Sequence, residues 1–392
     1  MNKKIREIVD KNYEWIIDKR HYLHQNPELS ESEYNTQKYI KKFLDSYGIT
    51  YEILANTGIY AKIENGSGKK LAFRADMDAL PLEETSDLEY KSKNVGVMHA
   101  CGHDVHMAVQ MGLIKSLKEN LNLWHGSAHF FFQPAEETIG GAKRMLEEGA
   151  NREKIDNLLS FHSASEISAG KIGIRYGKLH ATSMVFKLTI IGKECHGALA
   201  FNGIDSIVVG AKVVDYMQQI VSRKIDARDC ALITIGTFNA GTKENIVAGN
   251  AILTGTVRTL TQETKRYILN IFKTDLVKFV ESFGAKLKIE IHDSYAPVIN
   301  DKEFTDFLYK NACDILGAEN VQLIEMPRMD VEDVGFFLEE IKGSFYRLGV
   351  SGNKFTELHT KDFLVDDKAL KVGLMVQLKV ALEYLCWKFL TK

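Results

Sequence analysis

The chain has 392 residues, which is long enough for two domains. Its 50 basic and 52 acidic residues give a formal net charge of −2, so no polybasic surface for nucleic acid or an anionic membrane is expected. The five cysteines are scattered, no run of eighteen apolar residues occurs, and the first residues lack the apolar segment of a signal peptide. We therefore expect a cytoplasmic protein without a disulfide framework.

Helices and strands alternate through about the first 180 residues. The pattern predicts an amphipathic helix to about His24, a break at Pro27 and a second helix from about Ser30 to Tyr47. Strand-like runs and helical segments then follow one another. This alternation is typical of a layered α/β domain.

A thiol and an imidazole lie two residues apart in the run His99-Ala-Cys-Gly-His-Asp104. Cys101 and His103 point to the same side only in an extended segment or a turn, and the glycine between them permits a turn. Thiolate and imidazole ligands suit zinc, manganese, nickel or cobalt better than calcium or magnesium. The run therefore indicates a metal site, and a buried cysteine beside an ordinary core histidine is the alternative.

Three strand-like runs open onto residue types that bind metals. These runs are residues 70–75 before Asp76 and Asp78, residues 127–132 before Glu136 and Glu137, and residues 157–161 before His162. Loops at strand ends carry the chemistry of many α/β enzymes. Of two adjacent acids in a turn, one can bind metal while its neighbour acts as a general base. For Glu136 and Glu137 a solvated acidic turn is the simpler alternative.

The spacing of elements changes between residues 183 and 291. The order there is strand, helix, strand, strand, helix, strand, which is the split βαβ arrangement. We predict that residues 183–291 form a smaller α+β, ferredoxin-like domain inserted into a larger domain of residues 1–182 and 292–392. The larger domain resumes with a helix from Lys302 to Leu316, and it closes with a helix from Asp367 to about Leu390.

Four segments occur in the order found in one known family. They are RADMDALPLEE (74–84), HACGHDVHMA (99–108), FFFQPAEE (130–137) and LHTKDF (358–363). Through them nearly the whole chain resembles the dinuclear-metal aminoacylase and carboxypeptidase superfamily. The branch is that of hippurate hydrolases, N-acyl-amino-acid amidohydrolases and auxin-conjugate hydrolases. The resemblance implies an α/β catalytic domain with a mixed sheet, and an inserted domain that serves as lid and dimerisation domain.

The resemblance also implies a set of site residues. It makes Cys101 the ligand shared by two divalent metal ions per subunit, of zinc, manganese, nickel or cobalt. The remaining metal ligands that it implies are His103, Glu137, His162 and His359. Glu136 would be the general base, Asp78 would orient a ligand, and the role of Asp76 stays open.

Three further residues belong to the inserted domain. By the same resemblance, His196 would donate to the oxyanion and reach into the active site of a partner subunit, which implies a homodimer. Asn245 and Arg258 match family positions that hold the carbonyl or the free carboxylate of the substrate, and an arginine fork binds carboxylates bidentately. The alternatives are a surface histidine, a turn asparagine and a cation at the end of a strand.

The sequence therefore predicts metal-dependent hydrolysis of the amide bond of small N-acyl amino acids, with metal-activated water and Glu136 as base. Deacetylation of N-acetyl-diaminopimelate, or cleavage of small dipeptides, at the same site is the alternative. Two other classes stay open at this point. One is a thiol enzyme that uses Cys101 with His103 or His106 as base, and the other is a metal-stabilised dimeric binding protein without turnover.

Overall fold

The computed structural model describes residues 1–138 and 140–386. The chain forms two compact units, of which the second comprises Lys178–Val298 and Pro327–Glu332 and the first comprises the rest. Before the chain enters the second unit, it forms the helices and strands α1 (Asn2–Gln25), α2 (Tyr34–Ser46), β1 (Thr50–Leu54), β2 (Gly58–Asn65), β3 (Lys70–Asp76), α3 (His103–Glu119), β4 (Gly126–Gln133), α4 (Gly141–Glu147), β5 (Asn157–Ser168) and β6 (Ile172–Ile174).

The next elements in chain order begin where the chain passes into the second unit. They are β7 (Gly177–His180), β8 (Ser183–Ile191), β9 (Cys195–His196), α5 (Ser206–Gln219), β10 (Ala231–Ala240), β11 (Ile246–Val247), β12 (Asn250–Thr259), α6 (Gln262–Ile271), α7 (Val277–Glu281) and β13 (Lys286–Tyr295). The chain then returns through β14 (Val298–Asn300), α8 (Lys302–Leu316), β15 (Val321–Leu323), α9 (Val334–Glu340), β16 (Gly343–Ser351) and α10 (Lys368–Tyr384). The predicted end of the closing helix near Leu390 lies outside the described residues.

The first unit is built on an eight-stranded mixed sheet in the order β1-β2-β4-β3-β5-β16-β6-β15. Strand β3 is parallel to β4 and β5, and β5 is parallel to β16, while β1 and β2 add antiparallel pairings at one edge. Helix α3 is buried from His103 to Leu117, and it contacts α1, α10 and the strands β3 and β5. An α/β layer with a mixed sheet was predicted, and it is confirmed.

The second unit contains a four-stranded antiparallel sheet in the order β10-β12-β8-β13. Along β8 the side chains of Met184, Phe186, Leu188 and Ile190 are buried, so one face of the strand supplies the core. These residues pack in one cluster with the apolar residues of α5, α6 and α7. The small separate sheet agrees with the predicted ferredoxin-like class, while the predicted domain boundaries and the lid role stay predictions.

Two predicted helices differ in detail from the observed ones. Helix α2 begins at Tyr34 rather than near Ser30, because the segment before it is a turn in which Glu31 has φ +68°. The carboxylate of Glu28 accepts the backbone N–H groups of Asn35 and Thr36 and so caps the first turn of α2. The second of the two helices predicted within residues 183–291 contains a π-helical segment, Phe272–Leu276, between α6 and α7.

A buried ion network holds α1 against α3 and the segment before α10. Arg20 Nε donates to Asp104 Oδ2 at 2.9 Å, and Arg20 Nη1 donates to Asp367 Oδ1 at 2.6 Å. His24 Nδ1 lies 3.0 Å from the same Asp104 oxygen. Arg20 and Asp104 are both buried, so water cannot solvate either charge if its partner is removed.

No helix among the described residues is long and apolar enough to cross a membrane.

We expect Arg20→Met to lower the free energy of unfolding by about 3–5 kcal/mol, because it leaves the Asp104 carboxylate buried without its cation. Urea denaturation of this variant, of a control variant and of the parent protein measures the free energy of unfolding. The control is Lys371→Met, which breaks an ion pair with Asp10 in which the side chains are 41% and 57% exposed and which is worth less than about 1 kcal/mol. Equal losses in the two variants would contradict the analysis.

Candidate metal centre

The fold brings six of the predicted site residues together from four segments of the first unit. They are Cys101 and His103 at the start of α3, Glu136 and Glu137 after β4, His162 in β5, and His359 in the loop before α10. His162 was expected at a strand exit, but β5 runs on to Ser168. The pairing of β5 with β3 ends at Ser160, so His162 lies just past the last residue of β5 that pairs with β3.

The thiol of Cys101 lies between two imidazoles. Its Sγ is 3.2 Å from His162 Nε2 and 3.1 Å from His359 Nε2. The carboxylate of Glu137 completes the group, with Oε1 3.4 Å from His359 Nε2 and 3.9 Å from His103 Nε2. One sulfur, one carboxylate oxygen and three ring nitrogens therefore face a common centre.

Backbone carbonyl groups fix two of these imidazoles. His103 Nδ1–H donates to the carbonyl oxygen of Asp78 at 2.8 Å, and His162 Nδ1–H donates to the carbonyl oxygen of Ser163 at 2.8 Å. In a neutral imidazole the other ring nitrogen, Nε2, then carries the lone pair. Such hydrogen bonds orient histidines that bind metal in proteins.

Buried polar atoms without partners mark the same centre. Within the part of the chain that the structure describes, His103 Nε2 and Glu137 Oε1 are buried and have no hydrogen-bond partner. Unpaired buried polar atoms are costly and need an explanation. A divalent cation of the zinc type supplies one, since thiolate, imidazole and carboxylate are its ordinary ligands. The residues present thus fit the metal ions that the sequence implies.

The charges of the site also call for a cation. Burial raises the pKa of the Cys101 thiol well above its ordinary value, and Glu137 and Glu136 raise it further. Burial acts to lower the pKa of His103, but Asp76 and Asp78 outweigh it and raise that pKa to about 10. Without a cation the thiol is therefore a poor nucleophile, and a bound metal would displace protons from both ligands.

His106 is occupied elsewhere and does not join this group. Its Nε2 accepts the backbone N–H of Ser163 at 2.9 Å, and its Nδ1–H donates to Asp76 Oδ1 at 2.5 Å. The other oxygen of Asp76 accepts from Arg74 Nη1 at 2.7 Å. Asp76 and His106 thus hold the end of β3 against α3, a pairing that the sequence analysis missed because nothing in local spacing reveals it.

Asp78 is placed to orient two neighbours at once. Its Oδ1 lies 3.4 Å from His103 Nδ1, and its Oδ2 accepts the backbone N–H of Glu137 at 2.9 Å. The hydroxyl of Ser30 donates to the same Oδ2 at 2.7 Å. The carboxylate therefore contacts the segments that carry His103 and Glu137.

Left-handed backbone conformations occur at three positions in or next to the clustered residues. Gly102 has φ +83°, Ala135 has φ +53° and His359 itself has φ +60°. For residues other than glycine this region is strained and is found mostly where surrounding contacts impose it. At His359 one such contact is visible, since its N–H donates to the carbonyl oxygen of Ala100 at 2.9 Å.

The remaining predicted residues lie in the second unit. His196 in β9 pairs with Ile246 in β11, and Gly197 N–H donates to the carbonyl oxygen of Asn245 at 2.9 Å, so His196 and Asn245 are neighbours. His196 Nδ1 accepts the N–H of Ala198, which leaves Nε2–H of this exposed imidazole as a donor. Arg258 is half-buried in β12, which belongs to the four-stranded sheet and not to the two-stranded sheet of β9 and β11. Its Nη1 donates to the carbonyl oxygen of Met329 at 3.1 Å.

Comparison with known proteins adds a family match. Residues 72–383 match the Peptidase family M20/M25/M40. The chain is 35% identical to thermostable carboxypeptidase 2 of Saccharolobus solfataricus, over 97% of this chain and 98% of the relative. It is 36% identical to N-acetyl-L-cysteine deacetylase of Bacillus subtilis, over 91% and 84%. It is 34% identical to N-acetyldiaminopimelate deacetylase of Lactobacillus acidophilus, over 92% and 95%.

Solved structures give the same picture of the fold. A protein from methicillin-resistant Staphylococcus aureus superposes with a TM-score of 0.94 at 34% identity, over 98% of this chain and 100% of that chain. A dinuclear metal binding peptidase of the M20 family from Bacillus subtilis superposes with a TM-score of 0.82 at 29% identity, over 96% and 99%. The superpositions extend over nearly the full length of each chain.

We expect Gly102→Ala to destabilise the metal-free protein more than Gly48→Ala does. Both glycines have positive φ, which costs an alanine about 1–2 kcal/mol. A Cβ at Gly102 would lie 2.6 Å from Ser163 Oγ, whereas a Cβ at Gly48 would meet nothing within 4 Å. Overpacking adds about 1–3 kcal/mol to the first variant. Urea denaturation compares the two, and equal midpoints would disprove the clash.

Proposed function

The chain belongs to peptidase family M20/M25/M40 and is a metal-dependent hydrolase, and we propose that it removes the acyl group from N-acyl amino acids. The observation that carries this proposal is the position of Cys101 in two clusters of donor atoms. One cluster also contains His103 and His162, and the other also contains Glu137 and His359. The residues of each cluster would hold one metal ion.

We assign the five residues of these two clusters as the metal ligands. A bound pair of zinc, manganese, nickel or cobalt ions would polarise an amide carbonyl and lower the pKa of water. Asp78 then has a positioning role, since it contacts His103 and the backbone of Glu137. It holds those two ligands without itself being one.

Glu136 is the general base in this proposal. It is buried, and one of its carboxylate oxygens lies in a cluster with His103 and Glu137. From there its carboxylate accepts a proton from the attacking water and passes that proton to the departing nitrogen. The adjacent Glu137 has the different task of metal ligand in this proposal.

The second unit supplies the groups that recognise the substrate. His196 presents Nε2–H as a donor, which suits an oxyanion, and Asn245 lies beside it. Arg258 would hold the free carboxylate of the amino acid. As the resemblance implies, His196 would act in the partner subunit of a homodimer.

The names of the relatives support an N-acyl amino acid as the substrate class. Two of them are named as deacetylases, of N-acetyl-L-cysteine and of N-acetyldiaminopimelate. The second name is also the specific observation in favour of N-acetyl-diaminopimelate as the alternative substrate. A third relative is named as a carboxypeptidase, which keeps small dipeptides among the candidates.

We expect the metal-free protein to be inactive and to recover hydrolysis when zinc, manganese, nickel or cobalt is added, with about two ions bound per chain. The panel contains N-acetyl, N-benzoyl and longer N-acyl amino acids, N-acetyl-diaminopimelate and small dipeptides. Metal content by elemental analysis and release of the free amine by chromatography are the measurements. The ranking of kcat/KM within the panel identifies the acyl group and the amino acid.

Other outcomes of this experiment favour the other classes. Hydrolysis that survives chelation but is lost on thiol alkylation would indicate a thiol enzyme. The raised pKa of Cys101 and the occupied nitrogens of His106 argue against that class. Bound metal without turnover on any substrate would indicate a binding protein.

We expect Glu136→Gln and Glu137→Gln to separate the two roles. Glu136→Gln keeps both ions but lowers kcat by about 10²–10⁴, because the amide cannot accept the proton. Glu137→Gln loses affinity for one ion, because a neutral amide is a weaker ligand than a carboxylate. Metal content and kcat are measured for both variants. If Glu136→Gln lost a metal ion instead, the assignment of the base would be wrong.

A further inference from the structure

We propose that Glu33 is a positioning residue, whose carboxylate holds the turn that carries Glu136 and Glu137. Glu33 is 0% exposed. Its Oε1 accepts the backbone N–H of Ala135 at 2.9 Å, and its Oε2 accepts the hydroxyl of Thr57 at 2.7 Å. Residue 135 immediately precedes the general base, so the bond acts on the backbone next to it. This inference rests on the roles proposed above for the two glutamates.

The turn needs support because its backbone is strained. Ala135 has φ +53°, a conformation that an alanine leaves when nothing holds it. Strain of this kind persists only where surrounding contacts determine the conformation. The hydrogen bond from the N–H of Ala135 to Glu33 is such a contact. If Ala135 left the left-handed conformation, the side chain of the next residue, Glu136, would point in a different direction.

Two carboxylates hold the turn from two different segments. Glu33 accepts the N–H of Ala135, and Asp78 accepts the N–H of Glu137 at 2.9 Å. Glu136 lies between these two fixed amides. The geometry of the base is therefore set by both bonds together, and only Asp78 has so far had a role in the site.

Glu33 directly precedes α2, which is the position of a residue that caps its own helix. The side chain, however, makes no capping hydrogen bond with that helix. The first amides of α2 are instead taken by Glu28, which accepts from Asn35 and Thr36. The carboxylate of Glu33 thus serves the turn after β4 rather than its own helix.

Burial of Glu33 is unfavourable in itself, and this supports a role beyond stability. Burial raises the pKa of its carboxyl group, while the bond from Thr57 acts in the opposite direction. An apolar side chain would fill the same space without that penalty. A hydrogen-bond acceptor at this point is what the turn requires.

The test compares Glu33→Ala with Glu33→Gln and with Glu148→Ala. Glu148 is a matched control, because its Oε2 accepts the N–H of Ala55, another alanine with positive φ, in the turn between β1 and β2. The glutamine variant keeps an oxygen that can accept from Ala135. Three quantities are measured: Zn²⁺ affinity by competition with a chelator, hydrogen exchange at the Ala135 amide in the metal-free protein, and kcat and KM.

For Glu33→Ala we expect Zn²⁺ affinity and kcat each to fall about 10–100-fold, with faster exchange at Ala135 and little change in KM. Glu33→Gln should stay within about threefold of the parent, since the acceptor remains. Glu148→Ala should also stay within about threefold in affinity and kcat, whatever its loss of stability. If Glu33→Ala does not fold, Thr57→Val serves in its place and should give a smaller loss of the same kind.

Two outcomes would overturn the proposal. One is a Glu33→Ala variant that matches Glu148→Ala in Zn²⁺ affinity and kcat, and the other is a Glu33→Gln variant as impaired as Glu33→Ala. Absence of turnover by the parent protein would count against the proposed function alone. In that case Zn²⁺ affinity and hydrogen exchange still decide the role of Glu33.

Discussion

The parallel pairing of β3 with β4 and β5 is the constraint on which the candidate centre depends. Parallel strands end at the same edge of a sheet, and here the segments after β3 and β4 bring Asp78 and the two glutamates to that edge, where His162 of β5 also lies. Helix α3 then lies against β3 and β5, with His103 as its first residue and Cys101 directly before its N-cap, Gly102. Residues that are far apart in the chain therefore meet at one edge of the sheet.

Strained backbone conformations also help to set the geometry of the centre. Gly102, Ala135 and His359 all have positive φ, and each is one of the clustered residues or its immediate neighbour. The two of these residues that are not glycines each have a hydrogen-bond partner, Glu33 for Ala135 and the carbonyl oxygen of Ala100 for His359. Strain at a site is retained when it sets geometry that a relaxed turn would not give. The surrounding hydrogen bonds thus belong to the site as much as the ligands do.

Much of the fold and most of the clustered residues could be predicted from the sequence, because most of these residues lie inside short motifs whose residue types and spacing can be read directly. The run from His99 to Asp104 contains two of the donors, and the strand before Pro134 fixes the position of Glu136. Contacts over long sequence distances were not predictable. The bond between Glu33 and Ala135 spans 102 residues, and that between His106 and Asp76 spans 30, so no periodicity reports them. The same limit explains the late start of α2, which depends on a cap by Glu28 and not on the pattern of apolar residues.

The electrostatics of the centre link metal binding to the state of its ligands. Burial raises the pKa of the Cys101 thiol and nearby carboxylates raise it further, and carboxylates also raise the pKa of His103. The metal-free site therefore favours the protonated forms of both side chains. A cation reverses this effect, since it stabilises the thiolate and the neutral imidazole together. The acids that make Cys101 unsuitable as a free nucleophile thereby favour it as a metal ligand. One arrangement of charges thus disfavours thiol catalysis and favours hydrolysis with bound metal.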